Sequence, residues 1–281
     1  MSFQSVGRFG PVFETCRYGA SKLAFRGPKR SLKNEYVAFL GGTETYGKYV
    51  EHPYPQRVEA ATGLSCVNLG WPNAGIDVML NDPGFARIAS GARLTVLQVP
   101  CAANLSNSFY KVHPRRNDRF LKARDPLKKF YPTVDFTEFH FTRHMLARLR
   151  DLSCGPFLEV QAELAALWVT GMKRLICNIE SPVLLLWFSD RSPDQHCDDP
   201  DLRYEPALVS RNMLDAVEKD VAGLVEFNMG GAMRSMDPDF ELAEKVLSRF
   251  DRQLMRDVPG QMAHDSAAEA LIPAMAGLLD P

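Results

Sequence analysis

The sequence predicts an α/β protein with three layers, in which helices cover both faces of a five-stranded parallel sheet. Five short segments are apolar on both faces, which is typical of strands that are buried on both sides. Helical patterns separate these segments along the chain. Strands that alternate with helices favour parallel pairing through right-handed crossovers. Functional sites in such a sheet lie at the carboxyl ends of the strands.

The five predicted strands consist mainly of aliphatic and aromatic residues. The first, YVAFL, spans residues 36–40 and stops at two glycines. The others are SCVNLG at 65–70, RLTVLQV at 93–99, PVLLLWFSD at 182–190 and AGLVEFN at 222–228.

The predicted helices fill the intervals between these strands and follow the last of them. The first, PQRVEAATG, has Pro55 at its start and Gly63 past its end, as helices commonly do. Asp237 or Asp239 can cap one of the two closing helices, and Asp265 or Ser266 can cap the other. The remaining helical patterns span residues 74–91 (one or two helices), 157–179, 206–220, 237–255 and 265–279.

The predicted domain organisation is one large domain with two additions. Residues 1–34 have no sustained apolar period and are expected to form an N-terminal arm lying on the body. Residues 35–281 form the single α/β domain. A polar segment at about residues 105–150 is too long for an ordinary connection and is predicted to be an insertion or a lid.

The charge balance argues against nucleic-acid binding. The chain has 281 residues, with 33 Lys and Arg against 34 Asp and Glu, and its formal net charge is -1. Binding to a phosphate backbone needs a concentrated positive surface. No apolar run has the length of a signal peptide or of a membrane span. We therefore predict a cytoplasmic location.

The six cysteines do not form a C-x-x-C pair, which argues against a zinc ribbon or a thioredoxin-like site. Several lie in apolar runs, as Cys66 and Cys177 do. They are predicted to be buried free thiols in a reducing compartment.

Four loops carry the residues that suggest chemistry. GGTETYG, NLGWPNAG and PCAANLSN follow the first three strands, and GQMAHDSAAEALIPAM places a histidine just before the last helix. Because the carboxyl ends of parallel strands meet at one edge of a sheet, these loops are expected to converge.

This order of loops resembles the SGNH, or GDSL-type, hydrolase superfamily, whose fold is a flavodoxin-like three-layer α/β/α domain. The resemblance implies that Thr43 is the nucleophile and that His264 is its general base. It also implies that Gly75 or Gly70 and Asn104 stabilise the oxyanion, with no cofactor. Three positions depart from the family pattern: Thr43 replaces serine, Gln261 replaces aspartate and Ala102 replaces glycine.

The chain also resembles a bacterial family of unknown function over most of its length. The strings that carry this second resemblance are GGTETYG, NLSNSFYKVHPRRNDRFL and DFTEFHFTRHML. It implies kinship and no particular chemistry.

Alternatives remain open for the predicted site residues. Thr43 can instead be a turn residue whose hydroxyl bonds nearby backbone. Glu44 can bind substrate or cap the next segment, and Asn107 is a rival for the role of Asn104. The acid that orients His264 is undetermined among Asp190, Asp194, Asp257 and Asp265, or it is absent.

Further substrate-binding residues are predicted in two polar segments. Arg115 and Arg116 carry guanidinium forks that suit a carboxylate, a sulfate, a phosphate or an acidic sugar; alternatively they are solvated and pair with nearby acids. Asp194 and His196 follow the fourth strand and can line the same edge. His140 and His144 have helical spacing but lack the glutamate of a zinc motif, so no metal is predicted.

The predicted function is an SGNH-like esterase or acyltransferase that acts on an acyl ester through a Thr-His site, with an acylated saccharide as one candidate substrate. The alternative is a non-catalytic module that binds a carbohydrate or another anionic ligand on the same fold. Transfer of sulfate or phosphate ranks last, because the chain has no Walker-type loop. No oligomeric state is predicted.

Overall fold

The structure is a computed structural model that describes residues 13–194, 202, 204–230 and 259–279. Within these residues, strands and helices alternate along most of the chain. In chain order the elements are β1 (Thr15–Cys16), β2 (Phe25–Arg26), β3 (Val37–Gly41), α1 (Thr43–Tyr46), α2 (Tyr54–Thr62), β4 (Cys66–Gly70), α3 (Ile76–Asn81), α4 (Pro83–Ser90), β5 (Leu94–Gln98), β6 (Tyr110–Val112), β7 (Phe120–Ala123), α5 (Asp125–Phe130), a 3-10 turn (Phe136–Glu138), α6 (Thr142–Leu152), α7 (Cys154–Cys177), β8 (Val183–Ser189), α8 (Arg211–Glu218), β9 (Gly223–Asn228) and α9 (Gln261–Leu279).

The central sheet has five parallel strands in the order β4-β3-β5-β8-β9. The predicted three-layer α/β fold with a five-stranded parallel sheet is therefore confirmed. β3 lies inside the sheet, and the chain moves outward first to one side and then to the other. This flavodoxin-like order creates a switch point between β3 and its neighbours, where the connections leave in opposite directions.

Helices bury both faces of the sheet, which explains why its strands are apolar throughout. On one face, Val37 and Phe39 of β3 pack with side chains of α2 and α9. On the other face, Ala38 and Leu40 join a larger core formed with α3, α4, α6, α7 and α8. Trp168 of α7 is fully buried in that second core.

The described part of the N-terminal arm forms a two-stranded antiparallel pair from β1 and β2. Phe25 of β2 is fully buried and packs edge-to-face on Phe85 of α4, with ring centroids 5.6 Å apart. The arm thus contributes side chains to the core.

The predicted insertion contains the β6–β7 hairpin, α5, the 3-10 turn and α6. Asn107 fixes the start of the hairpin, because its Oδ1 accepts the backbone N–H groups of Phe109 and Tyr110 at 2.8 and 2.9 Å. The indole N–H of Trp71 donates to the carbonyl oxygen of Arg115 at 2.9 Å. The tip of the hairpin therefore lies over the loop that follows β4.

Three local predictions differ from the structure. The helix predicted at 206–220 begins only at Arg211, since Leu208 has a φ of 60° that interrupts the helical path. The last helix begins at Gln261, so neither Asp265 nor Ser266 caps it. Cys177, predicted to be buried, is exposed at the end of α7.

Several predictions lie outside the described residues. They are the helix at 237–255 with its caps Asp237 and Asp239, and the site residues Asp257 and His196.

Candidate active site

Two glycines allow the loops after β3 and β4 to meet closely. A Cβ on Gly41 would stand 1.9 Å from Thr45 Oγ1 and 2.5 Å from Gln98 Oε1. A Cβ on Gly70 would stand 2.2 Å from the backbone nitrogen of Tyr46. Real Cβ atoms do not approach other atoms so closely, so only glycine fits at either strand end. The Gly-Gly-Thr-Glu-Thr turn thus places α1 directly against the end of β4.

Thr43 opens α1 and bonds to the loop after β4. Its hydroxyl donates to Asn73 Oδ1 at 3.2 Å and accepts the backbone N–H of Asn73 at 3.1 Å. Asn73 has a φ of 59°, a left-handed conformation that asparagine tolerates better than most residues. The Nδ2 group of Asn73 then donates to Asp118 Oδ2 at 3.2 Å. The predicted nucleophile is therefore linked through one amide to a carboxylate of the insertion.

Gly75 and Asn104 are direct neighbours in the structure. A Cβ on Gly75 would stand 3.1 Å from the carbonyl oxygen of Asn104. The backbone N–H of Gly75, however, donates to Asn117 Oδ1 at 2.9 Å. The Asn104 side chain accepts a hydrogen bond from Thr142 Oγ1 at 2.7 Å through Oδ1. Its Nδ2 group makes no hydrogen bond within the described residues.

Thr43, Gly75 and Asn104 thus come from three loops that touch at the carboxyl edge of the sheet. The first two are joined through Asn73, and the last two are adjacent. A reacting carbonyl at this edge could meet a hydroxyl and an amide donor together.

A buried amide of β5 organises the turn after β3. Gln98 is 6% exposed, and its Oε1 accepts the backbone N–H groups of Gly42 and Thr45 at 3.1 and 3.3 Å. Thr45 Oγ1 donates to the same oxygen at 2.6 Å, while Tyr54 OH bonds Thr45 Oγ1 at 2.8 Å. Gln98 Nε2 donates to Glu44 Oε2 at 2.8 Å. The amide therefore holds the Glu44 carboxylate in a fixed position.

Glu44 is surrounded by mixed charges. Burial raises the pKa of its carboxyl group above the usual range, and the nearby carboxylate of Glu205 raises it further. Arg143 acts in the opposite direction but forms its ion pair with Glu205. The site consequently contains a carboxyl group that holds its proton more tightly than a solvated glutamate does.

His264 lies in the first turn of α9 and is 1% exposed. Its ring stacks on Tyr54 with centroids 5.9 Å apart and meets Phe188 edge-to-face at 5.5 Å. Its Nδ1 accepts the backbone N–H of Tyr54 at 3.2 Å, so the proton of the neutral ring is on Nε2. Burial lowers the pKa of His264 to about 3. Nε2 is buried without a hydrogen-bond partner among the described residues.

The structure does not bring His264 into hydrogen-bond contact with Thr43 within the described residues. Two of the acids predicted to orient the ring bond elsewhere. Asp265 pairs with Arg57 at 2.8 Å, and Asp194 pairs with Arg211 at 2.7 Å. The role of His264 as general base stays a prediction.

The predicted substrate-binding residues have different surroundings. Arg115 and Arg116 are exposed, and their backbone N–H groups both donate to His113 Nδ1 at 3.2 Å. Their guanidinium groups form no ion pair within the described residues. Asn107 is buried and serves the hairpin, whereas Asp194 is held by Arg211. Among the described residues predicted to bind substrate, these two arginines are the exposed cations without an ion pair.

Sequence reasoning missed several residues that build this site. Asn117 and Asp118 follow the two arginines in the same string, but nothing in that string shows that they reach the loop after β4. Gln98 lies within a strand pattern and carries no motif. Asn73 belongs to the recognised loop NLGWPNAG, and an asparagine just before a glycine-containing turn was the one signal that could have identified it.

No arrangement of three or more histidine, cysteine, aspartate or glutamate side chains able to hold a metal ion occurs in the described parts of the chain. His144 instead packs edge-to-face on Phe139, with centroids 5.1 Å apart. Among the described helices, none is both long and apolar enough to cross a membrane.

Solved structures similar to this chain include esterases and lipases. A carbohydrate esterase family 2 enzyme with a carbohydrate-binding domain from Corynascus thermopiles (Myceliophthora fergusii) matches at 11% identity and a TM-score of 0.43, over 91% of this chain and 70% of that one. The acetyl xylan esterase Est2A from Butyrivibrio proteoclasticus matches at 10% identity and a TM-score of 0.42, over 91% and 67%. A putative GDSL-like lipase from Bacteroides ovatus matches at 12% identity and a TM-score of 0.38, over 92% and 58%.

No curated protein matches the sequence. A family profile does match, and it spans residues 1–279, nearly the whole chain. The family has no assigned function, as the second resemblance in the sequence implies. The chain belongs to the family described as a domain of unknown function, DUF6473.

Proposed function

We propose that the protein is an SGNH-like hydrolase or acyltransferase that acts on an acyl ester, with Thr43 as the nucleophile. The observation that carries this proposal is the meeting of three loops at one sheet edge. Thr43 Oγ1 bonds Asn73 at 3.1 and 3.2 Å, and Gly75 of the same loop adjoins Asn104. The order of these loops along the chain is the order of the blocks in the resembling superfamily.

In the proposed reaction, Thr43 Oγ1 attacks the acyl carbon and gives up its proton to a base. The π electrons of the carbonyl move to oxygen and form a tetrahedral oxyanion. The amide Nδ2 of Asn104 is available to donate to that oxygen, since Thr142 engages only Oδ1. A donor of this kind contributes about 3 kcal/mol to transition-state stabilisation. Collapse expels the alkoxide and leaves an acyl-threonine, which water or a second hydroxyl then cleaves.

The backbone N–H of Gly75 can stabilise the oxyanion only if it gives up its present hydrogen bond to Asn117. Its N–H donates to Asn117 Oδ1, and Val78 donates to the same oxygen at 3.3 Å. The Asn117 side chain would have to release Gly75 before that N–H could serve an oxyanion. Asn104 is therefore the principal oxyanion donor in this proposal.

Replacement of Thr43 tests the proposal. Thr43→Ala should abolish hydrolysis of p-nitrophenyl acetate, whereas Thr43→Ser should retain or increase it, because serine lacks the methyl group that restricts the hydroxyl. Thr133→Ala changes an exposed threonine and should leave the rate unchanged. Intact-mass analysis after a brief incubation should detect one acyl group on the wild type and none on Thr43→Ala. Equal rates for wild type and Thr43→Ala would refute the proposal.

A second candidate function, ligand binding without catalysis, is supported by two polar groups that already form hydrogen bonds within the protein. The N–H of Gly75 and the Nδ1 of His264 already bond within the protein, and His264 is neutral and buried. A non-catalytic module that binds an acidic saccharide through Arg115 and Arg116 would need neither group. Calorimetry with a uronic-acid oligosaccharide should then show binding that the double variant Arg115→Ala/Arg116→Ala loses. Binding that survives this change, or no binding at all, would reject the module.

A further inference from the structure

Glu44 directly follows the predicted nucleophile, and its carboxylate lies over Gly42, the residue that precedes the nucleophile. Glu44 Oε2 lies 3.3 Å from the position that a Cβ on Gly42 would occupy. Gly42 and Glu44 flank Thr43 in the chain, so the carboxylate folds over the turn that carries the threonine. This placement sets a proton acceptor beside the end of β3, where the nucleophile begins α1.

The orientation of this carboxylate follows from a chain of hydrogen bonds with a single polarity. Gln98 Oε1 receives three donors from the turn, two from backbone N–H groups and one from Thr45 Oγ1. Because the amide oxygen is fully used, Nε2 must point the other way, where it donates to Glu44 Oε2 at 2.8 Å. Tyr54 OH completes the chain at Thr45 Oγ1. Glu44 is therefore the accepting end of a preset network.

The neighbouring charges differ from those of a structural ion pair. Arg143 bonds Glu205, and Glu205 Oε2 also accepts the backbone N–H of Ala207 at 3.2 Å. Glu44 instead bonds an amide, and the carboxylate of Glu205 and the guanidinium of Arg143 act on its pKa in opposite directions. Burial and the carboxylate of Glu205 raise the pKa of Glu44, so this carboxyl group takes up a proton more readily than a solvated glutamate does.

His264 has the opposite properties. It contacts Tyr54 and Phe188, and Nδ1 is occupied by a backbone N–H. Nε2 of the neutral ring carries the proton, so neither nitrogen is free to accept one. A change of tautomer would leave the N–H of Tyr54 without its acceptor inside an apolar pocket.

We propose that Glu44, rather than His264, is the residue that transfers the proton of Thr43; this inference rests on the proposed function. As Thr43 Oγ1 forms its bond to the acyl carbon, the Glu44 carboxylate takes the hydroxyl proton. When the C–O bond of the ester breaks, the protonated Glu44 gives that proton to the departing alkoxide. In the second half, Glu44 takes a proton from water, the resulting hydroxide attacks the acyl-threonine, and the proton returns to Thr43 Oγ1.

The test compares Glu44→Gln, Glu44→Asp and His264→Gln in the full chain, with Glu138→Gln as the control at an exposed glutamate. Two acetate esters are used, p-nitrophenyl acetate and an unactivated alkyl acetate. Glu44→Gln should lower kcat/KM by about 100-fold or more, with the larger loss on the alkyl ester, whose alkoxide needs the returned proton. Glu44→Asp should recover part of the loss. His264→Gln and Glu138→Gln should stay within a few-fold of the wild type.

The pH profile supplies a readout that a purely structural role would not change. The wild-type acid limb of kcat/KM should lie above the usual glutamate range, and it should disappear in Glu44→Gln. It should persist in His264→Gln. An acid limb that persists in Glu44→Gln and disappears in His264→Gln would overturn the inference. Thermal unfolding of each variant confirms that a loss of rate is not a loss of fold.

The same data separate failure of this inference from failure of the proposed function. If Thr43→Ala is inactive while Glu44→Gln stays within threefold of wild type, the ester-cleaving function stands and Glu44 is not the proton-transfer residue. If the wild type neither turns over an ester nor acquires an acyl group by mass, both proposals fail.

Discussion

Two neighbouring regions of this protein surround their ionisable groups differently, one with hydrogen-bonding groups and the other with aromatic rings. The polar edge cluster, formed by Thr43, Glu44, Asn73, Gln98 and Asn104, gives most of its polar atoms a hydrogen-bond partner and keeps a carboxyl group protonatable. The aromatic pocket around His264 keeps an imidazole neutral. Tyr54 and Phe188 contact the imidazole ring, and Phe39 packs on Tyr54 behind them.

Tyr54 belongs to both regions. Its backbone N–H donates to His264, and its hydroxyl bonds Thr45 in the network that leads to Glu44. The difference between the regions teaches that nearness to the sheet edge does not by itself make a residue suited to proton transfer. The surrounding polarity decides which group can change its charge.

The largest expected effect tests the close approach that builds the polar edge cluster. Gly70→Ala would place a Cβ 2.2 Å from the backbone nitrogen of Tyr46 and 2.6 Å from the carbonyl carbon of Thr45. Because backbone atoms cannot move aside as a flexible side chain can, we expect the free energy of unfolding to fall by more than about 3 kcal/mol. Urea denaturation measures this change.

The matched control is Gly155→Ala at the start of α7, where a new Cβ meets nothing within 4 Å. That change should be neutral or should stabilise the helix by up to about 1 kcal/mol. Similar destabilisation by both substitutions would show that the strand-end contact is not what requires glycine.

The second-largest expected effect is a loss of stability at low pH, caused by the buried His264 in the aromatic pocket. The pKa of His264 is lowered to about 3 from an ordinary value of 6.5, so between these values the unfolded chain binds a proton that the folded chain does not. The free energy of unfolding should therefore fall as pH drops from 6.5 toward 3, by up to about 1.4 kcal/mol per pH unit. Denaturant titrations at several pH values should show a flatter dependence for His264→Gln. Identical pH dependence in the two proteins would mean that the ring is not held neutral.

Glu44 should give a pH dependence of the opposite sign. Its pKa is raised, chiefly by burial, so above the usual glutamate range the folded protein keeps a proton that the unfolded chain has lost. The free energy of unfolding should fall as pH rises through that window, and this contribution should be missing in Glu44→Gln. The comparison uses the same titrations as for His264. If the free energy of unfolding depends on pH in the same way in the wild type and in Glu44→Gln, the pKa of Glu44 is not raised in the folded protein.

The smallest expected effect tests the link between the two regions. Tyr54→Phe and Tyr36→Phe each remove a buried phenol hydrogen bond, to Thr45 Oγ1 at 2.8 Å and to the carbonyl oxygen of Ile88 at 2.7 Å. Each should lower the free energy of unfolding by about 1 kcal/mol. Only Tyr54→Phe should also lower kcat/KM, by a few-fold, because Gln98 and Glu44 lie further along its network. Equal kcat/KM values for the two variants would show that the hydroxyl of Tyr54 does not influence the candidate active site.

The sequence by itself determined the sheet and the edge at which its polar loops lie. Strands that are apolar on both faces, such as β3 and β8, need a layer of helices on each side of the sheet. Helices that alternate with the strands along the chain lead to parallel pairing. The strand-end glycines Gly41 and Gly70 were visible in the same way, since each ends an apolar run. Each of these features depends on residues that are adjacent in the chain, so a short stretch of sequence is enough to predict it.

Only the tertiary structure decided which polar groups face one another. The insertion could be recognised, but its length gave no sign that Asn117 would cap α3 or that Asp118 would reach Asn73. The histidine was found by its position before the final helix, yet its burial against Tyr54 and Phe188 depends on how α9 packs on the sheet. Protonation follows desolvation and neighbouring charge, which are properties of residues distant in sequence and close in space, and these are set only when the chain has folded.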